Sequence, residues 1–537
     1  QNDSADYFLG GRDATWIAIG ASIFASNIGS EHLIGLAGAG ASSGMAMAHW
    51  EIQGWMILIL GWVFVPFYSR SMVYTMPEFL ERRYNPQSRT ILSVISLVSY
   101  VLTKVAVTVY AGGLVFQQVF GIKELWGIDF FWIAAIGLVV LTALYTIFGG
   151  MKSVLYTSVL QTPILLLGSL IILVLGFKEL GGWDEMMRVC GAVTVNDYGD
   201  TMTNLIRSND DANFPWLGAL IGSAIIGFWY WCTDQFIVQR VLSGKNEKEA
   251  RRGTIFGAYL KLLPVFLFLI PGMIAFALHQ KYIGAGGEGF LPMLANGTAN
   301  ADAAFPTLVA KLLPAGVKGL VVCGILAALM SSLASLFNSS AMLFTIDFYK
   351  RFRPETPEKK LVGIGQIATV VIVILGILWI PIMRSVGDVL YTYLQDVQSV
   401  LAPGIAAAFL LGICWKRTSA QGGMWGLIAG MIIGLTRLGA KVYYSNAGEV
   451  ADSTFKYLFY DMNWLFFCGW MFLFCIIVVI VVSLATEAPT EEKIRGLVFG
   501  TSTPAQLAET RASWNHWDII HTVIILGITA AFYIYFW

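Results

Sequence analysis

Three groups of residues in this chain have the types and spacing to do chemistry inside an apolar environment. The stretch AIGASIFASNIGSEHLIGLAGAGASS, residues 18–43, is apolar enough to cross a membrane. It nevertheless carries Asn27, Gly29 and Ser30 at its middle, with Glu31 and His32 directly behind. Glycine lowers helix propensity by about 1 kcal/mol, and Asn and Ser compete for backbone hydrogen bonds. The sequence therefore predicts a helix interrupted near Asn27. In hydrocarbon such a break survives only where its freed groups line a cavity or find partners, and there it offers bare carbonyls to a cation. A Gly-rich packing helix would be the plainer reading, but packing alone does not require Asn27, Glu31 and His32 together.

Glu51 lies in MAMAHWEIQGWMILILGW and Lys261 in GAYLKLLPVFLFLIPG. A charge near the bilayer centre costs roughly 2.5–3.5 kcal/mol on insertion scales, so each should face a partner or a wet cavity. Together they offer a polyhydroxylated solute an acceptor and a donor without net charge; a purely structural ion pair would also account for them. Asn27, His32 and Gln395 can both donate and accept. The third group, AALMSSLASLFNSSA over 327–341, is the densest hydroxyl cluster in the chain. On a helix Ser331 and Ser332 point about 100° apart, too far to make one packing face. Two hydroxyls beside freed carbonyls would suit an alkali cation better than a transition metal; serine as a small packing residue is the alternative. Trp50, Tyr230, Trp231 and Tyr391 present flat faces that match the C–H face of a sugar ring and could act as lids, although buried aromatics also simply pack.

These residues need an apolar frame to hold them. Of 537 residues, 57% are hydrophobic and only 13% charged, with formal net charge zero. That composition excludes a soluble enzyme and offers nothing to nucleic acid. The cysteines and histidines are scattered, with no C-x-x-C pair, so neither a disulfide framework nor a zinc site is indicated. Apolar segments of spanning length fall at about 14–43, 45–68, 91–119, 129–149, 152–176, 215–242, 253–279, 315–347, 361–384, 387–414, 418–436, 463–486 and 517–537. They predict an all-α polytopic membrane protein of about 13 helices. If the chain starts in the cytoplasm, the inside loops carry roughly twice as many Lys and Arg as the outside ones. The N-terminus is then cytoplasmic and Trp537 ends outside. The acidic loop 177–214 separates five helices from five more, and an odd number of crossings makes the second set enter from the opposite side, as inverted repeats do. The whole chain, 1–537, reads as one membrane domain: 14–176 as the first repeat, 215–414 as the inverted second, and 418–537 as three peripheral helices.

The pieces ASNIGSEHLIGLAG (25–38), WYWCTDQFIVQR (229–240), YLKLLPVF (259–266), ALMSSLASLFNSS (328–340), YTYLQDV (391–397) and APGIAAAFLLGICWKR (402–417) resemble the sodium/solute symporter family, in particular its sodium–glucose (sodium/galactose) cotransporter branch. The resemblance spans most of the chain. It implies the five-plus-five inverted-repeat (LeuT-like) core with discontinuous first and sixth core helices, and usually fourteen helices, one more than are visible. It places sodium on the backbone carbonyls of Ala25, Ile28 and Ala328 with the hydroxyls of Ser331 and Ser332. The sugar would meet Asn27, His32, Glu51, Lys261 and Gln395 beside Trp231. Tyr230 would close the site from inside, and Leu36, Trp50 and Tyr391 from outside. His32 looks more like the animal glucose carriers than the bacterial galactose carrier. Two positions depart from the pattern. Ser158 stands where relatives often carry an Asp tied to a second sodium, and Gly227 stands where the bacterial relative has a sugar-binding Asn, so one contact is lost or moved.

The resulting expectation is a sodium-coupled hexose symporter (glucose or galactose) working by alternating access in the cell membrane, plasma or bacterial inner. Its partners would be a hexose, Na+ and the lipid bilayer, with sodium as co-substrate and no cofactor or transition metal. A symporter of the same fold for inositol, a sialic acid or an amino acid is the first alternative; a non-coupling sugar sensor or channel is the second.

Overall fold

The structure is a computed structural model that describes residues 2–29, 31–293, 296–385 and 387–537; the side chains at 101–103, 106, 107, 114, 379–397, 442 and 445 lie outside that description. The chain is helical almost throughout, with a single two-stranded ribbon, Glu124–Leu125 with Ile128–Asp129, among the described residues.

The predicted interruption of the first segment is present. Helix α1 (Trp16–Asn27) stops with Ile28 in an extended conformation (φ −76°, ψ 115°). The chain resumes as a π-helical turn, Glu31–Leu36, that leads into α2 (Ala37–Ser42). The second segment is broken as well, which the sequence did not foretell. Helix α3 (Ala48–Glu51) ends at Ile52 and Gln53, outside helical geometry, before α4 (Gly54–Ile59). Helices α5 (Pro86–Ser99) and α6 (Ala106–Phe120) form the third segment. The next two predicted helices are both present within Phe130–Leu180, labelled α7 as a whole, and they meet at a kink at Gly150, whose φ 59° and ψ −151° are not helical. Any side chain at Gly150 would strike the Tyr7 carbonyl, 2.3 Å from where its Cβ would stand.

The sixth core helix is also discontinuous: α8 (Trp216–Phe228) passes through a π-helical turn, Trp229–Thr233, and gives way to extended Asp234. The Asp234 carboxylate accepts from the Phe236 amide and so starts α9 (Gln235–Leu242). Helix α10 (Glu247–Lys261) ends just before Pro264, and α11 (Ile270–Gly284) follows a further π-helical turn. Helices α12 (Ala315–Met342), α13 (Glu358–Ser385), α14 (Gly387–Cys414), α15 (Ala420–Asn446), α16 (Trp464–Ala485) and α17 (His516–Tyr535) complete the bundle.

Nine helical stretches among the described residues are long and apolar enough to span a membrane, one of them the kinked pair of helices in α7. The shorter apolar helices Trp16–Asn27 and Gln398–Cys414 come in addition, and the two predicted helices either side of Gly150 are counted in that number as one stretch. Helix α1 packs between α7, α10 and α12, while α14, α15 and α16 pack on one another to one side. Outward faces of the peripheral helices are apolar, for example Phe474, Ile477 and Val481 on α16. That surface suits lipid, which satisfies no polar group.

Small residues set how closely the central helices approach. Helices α2 and α11 touch backbone to backbone, so that a Cβ on Gly272 would stand 2.0 Å from the Ala37 carbonyl oxygen. Gly272→Val should therefore force the two apart and cost several kcal/mol, in the manner of an overpacked core. The expected result is a lower melting temperature in detergent and loss of the monodisperse fraction.

Candidate functional site

The breaks converge. A cavity of about 590 Å³ lies among α1, α2, α3, α8, α10 and α12, and its lining includes Asn27, His32, Glu51, Trp231, Lys261 and Ser332. Lys261, on the last turn of α10, donates to Glu51 Oε2 at 2.7 Å, and the His32 Nε2–H donates to the same oxygen at 3.1 Å. The three are largely buried, with side-chain exposures of 4%, 12% and 5% for Lys261, Glu51 and His32. The ammonium also sits 5.2 Å from the Trp231 ring centroid, a cation–π distance. Two buried polar atoms of the lining, Asn27 Nδ2 and His32 Nδ1, have no hydrogen-bond partner among the described residues. With its proton on Nε2, a neutral His32 offers Nδ1 as an acceptor, and Asn27 offers a donor.

One end of the cavity is walled by aromatics at the starts of α8 and α16. Trp50 stacks on Trp464 (5.6 Å, 16°) and meets Phe214 edge-on at 5.8 Å. Leu36 lines the same cavity. At the depth of the Asp234 break stands Tyr230, perpendicular to Trp231 at 4.9 Å. The expected lids Leu36, Trp50 and Tyr230 are thus all on the cavity wall. Tyr391 and Gln395 lie outside the described residues; Gln398, one turn further along α14, lines the cavity.

The hydroxyl cluster lies against the break in α1. A Cβ on Gly29 would stand 3.1 Å from Ser332 Oγ, and the Ser26 and Ser335 hydroxyls hydrogen-bond one turn away. Ala25, Ile28, Ala328 and Ser331 are all at most 1% exposed, in the seam between α1 and α12. Helix ends leave last-turn carbonyls without partners in a next turn, and the end of α1 lies at this seam. Ser331 Oγ donates its proton to Gln161 Oε1 on α7, which leaves the hydroxyl's lone pairs as acceptors. Residues of the proposed cation seam and of the solute cavity are therefore neighbours: Ser332 belongs to both, and Asn27 of the cavity precedes Ile28 of the seam.

Two elements of the site escaped the sequence reading. Lys104, within the third apolar segment, donates to Asp234 Oδ2 at 2.9 Å. The same ammonium lies 4.9–5.2 Å from the ring centroids of Tyr100, Trp229, Tyr230 and Phe236. Gln161 is the other; its role needs Ser331 beside it, and nothing in YTSVLQT announces that.

A bundle whose broken helices face an internal polar cavity is the architecture of a secondary transporter. The chain belongs to the sodium:solute symporter family, whose model matches residues 7–434. It is 38% identical over 516 residues to the sodium/myo-inositol cotransporter of Canis lupus familiaris, covering 92% of this chain and 71% of that one. To the sodium/myo-inositol cotransporter 2 of Homo sapiens it is 37% identical over 508 residues, covering 92% and 74%. Its fold matches that of a Na+-coupled sialic acid symporter in a substrate-bound outward-open state, with a TM-score of 0.71, 22% identity, and coverage of 91% of this chain and 94% of that one. The fold is the five-plus-five transporter core expected from the sequence, and the chain is a multi-pass, sodium-coupled symporter of a small solute, not an enzyme.

The triad lends itself to a stability cycle. Removing one member of a buried ion pair costs about 3–5 kcal/mol because the other charge is left uncompensated. Glu51→Gln and Lys261→Met should each lower the thermal midpoint strongly, and the double variant should be more stable than either single one. Additive losses in the double variant would show that the two side chains do not interact.

Proposed function

We propose that the chain carries a neutral ring polyol, myo-inositol first and a hexose such as glucose or galactose second, with one sodium ion per cycle. The sequence alone ranked the hexose first. The inositol alternative is favoured by the two sodium/myo-inositol cotransporters that the chain matches over 92% of its length. One observation of the cavity carries the polyol class. Both lining cations among the described residues, Lys104 and Lys261, are neutralised by Asp234 and Glu51, while Asn27 Nδ2 and His32 Nδ1 have no partner among those residues. A sialic acid would need an uncommitted cation, and none stands among the described lining residues. Hydroxyls would instead satisfy buried donors and acceptors whose isolation costs about 1–3 kcal/mol each.

In this reading Asn27, His32, Glu51, Lys261 and Gln395 hold the solute's hydroxyls over Trp231. Ala25, Ile28, Ala328, Ser331 and Ser332 hold sodium. Leu36, Trp50 and Tyr391 form the outer lid and Tyr230 the inner one. The single sodium rests on Ser158: a buried hydroxyl that donates to the Val154 carbonyl at 2.6 Å brings no negative charge to a second cation. The N-terminus is cytoplasmic, following the distribution of Lys and Arg. Moving one charge through 100 mV and down a tenfold sodium gradient supplies about 3.7 kcal/mol, enough for several-hundredfold accumulation.

Uptake into proteoliposomes against a panel of myo-inositol, glucose, galactose, sialic acid and amino acids tests the solute class. Sodium-dependent uptake of myo-inositol or a hexose is expected, and transport confined to an anionic solute or an amino acid would refute it. Ser332→Ala should abolish sodium stimulation while the protein stays folded; normal sodium dependence would remove Ser332 from the site. Reversal potentials at varied gradients should give one sodium per solute, and a slope requiring two would overturn that stoichiometry.

A further inference from the structure

Gln53 has a place in the cavity that none of the roles above uses. It sits in the non-helical step between α3 and α4, two residues after Glu51, and is 3% exposed. Its Nε2 donates to the Ser223 carbonyl on α8 at 2.8 Å, and its Oε1 accepts from the Trp231 indole N–H at 3.4 Å. The amide lies flat against Gly227, so a Cβ there would stand 2.8 Å from Oε1, 2.9 Å from Nε2 and 3.0 Å from Cδ. A glycine inside α8 weakens that helix by about 1 kcal/mol relative to alanine. What that glycine provides here is the space into which Gln53 reaches.

We propose that Gln53 is a substrate-selecting residue. It enters from α3–α4 the volume that a side chain at 227 would fill from α8. A glutamine amide has two N–H donors and two carbonyl lone pairs. One donor goes to Ser223 and one lone pair to Trp231, so one of each stays uncommitted among the described residues. A donor and an acceptor side by side match two adjacent hydroxyls of a ring. The same amide fixes the indole on which the solute's C–H face would rest and beside which the Lys261 ammonium lies. Gln53 therefore reads the solute directly and also orients the aromatic surface under it. Gly227 and Gln53 act as a pair: enlarging one requires shrinking the other. The inference rests on the polyol reading of the cavity and adds to it a determinant of which polyol is preferred.

Sodium-driven uptake of myo-inositol and of glucose is compared in the full chain and in Gln53→Ala, Gln53→Asn, Gly227→Ser and the double variant Gln53→Ala/Gly227→Ser. Loss of one hydrogen bond to a ring hydroxyl predicts about a tenfold rise in half-saturation for Gln53→Ala. Its myo-inositol-to-glucose preference should change by about fivefold or more, while sodium half-saturation stays within about twofold, because only one of the solutes loses a matched contact. Gly227→Ser should be transport-poor, since its Cβ displaces the amide, and the double variant should recover uptake with an altered preference. Gln53→Asn keeps the amide on a shorter arm and should fall between wild type and Gln53→Ala. It carries the comparison if Gln53→Ala does not fold. An unchanged preference in the folded Gln53 variants, or a double variant no better than Gly227→Ser, would overturn the inference. Wild-type protein that moves neither solute would instead refute the polyol reading itself.

Discussion

Hydrocarbon cannot satisfy a peptide group, so every break in a membrane helix has to be answered from within the protein. Four of this chain's breaks meet that constraint in one place: after Asn27, at Ile52–Gln53, at Asp234, and between Lys261 and Pro264. Polar side chains of the cavity, or in the case of Asp234 the partner of its lining Lys104, stand at these same points. Asn27 ends α1, Glu51 ends α3, Asp234 caps α9 and Lys261 ends α10. Backbone and side chain thus share one solution. The groups released by stopping a helix are gathered with the side chains that we propose for the solute and the cation.

The same constraint ties the cation to the solute. The seam between α1 and α12 is held by the Ser26–Ser335 hydrogen bond and by the fit of Gly29 against Ser332. Asn27 is adjacent to Ile28 in the chain, and Ser332 lines the solute cavity. A sodium ion bridging the end of α1 to Ser331 and Ser332 would fix the seam and with it the position of Asn27. Loss of the ion would leave α1 free to part from α12. Coupling of this kind would need no long path, because the two proposed sites meet at Asn27 and Ile28, consecutive residues of one interrupted helix.

Much of this was legible in the sequence. Asn27, Glu51 and Lys261 stood out because a polar or charged group in an apolar run is costly and so demands a partner. Ser331 and Ser332 stood out because two adjacent hydroxyls cannot share one packing face. What stayed hidden depended on pairs distant in the chain. Lys104 has no meaning until Asp234 is beside it, Gln161 none until Ser331 is, and Gln53 none without the space over Gly227. A neutral amide close to a charged residue gives little signal of its own, and the break at Ile52–Gln53 carries neither glycine nor proline at its two residues. Hydropathy likewise marks the two helices either side of Gly150 but not the kink that joins them.

The central claim is that sodium assembles the solute site by holding the end of α1 against α12. Equilibrium binding of radiolabelled myo-inositol to the purified protein, with sodium replaced by choline at constant ionic strength, tests it most directly. Tightening by sodium of about tenfold or more is predicted, corresponding to at least about 1.4 kcal/mol of coupling between the two sites. By the reciprocity of linkage, myo-inositol should tighten sodium binding by the same factor. Specific myo-inositol binding of equal affinity in sodium and in choline would contradict the account.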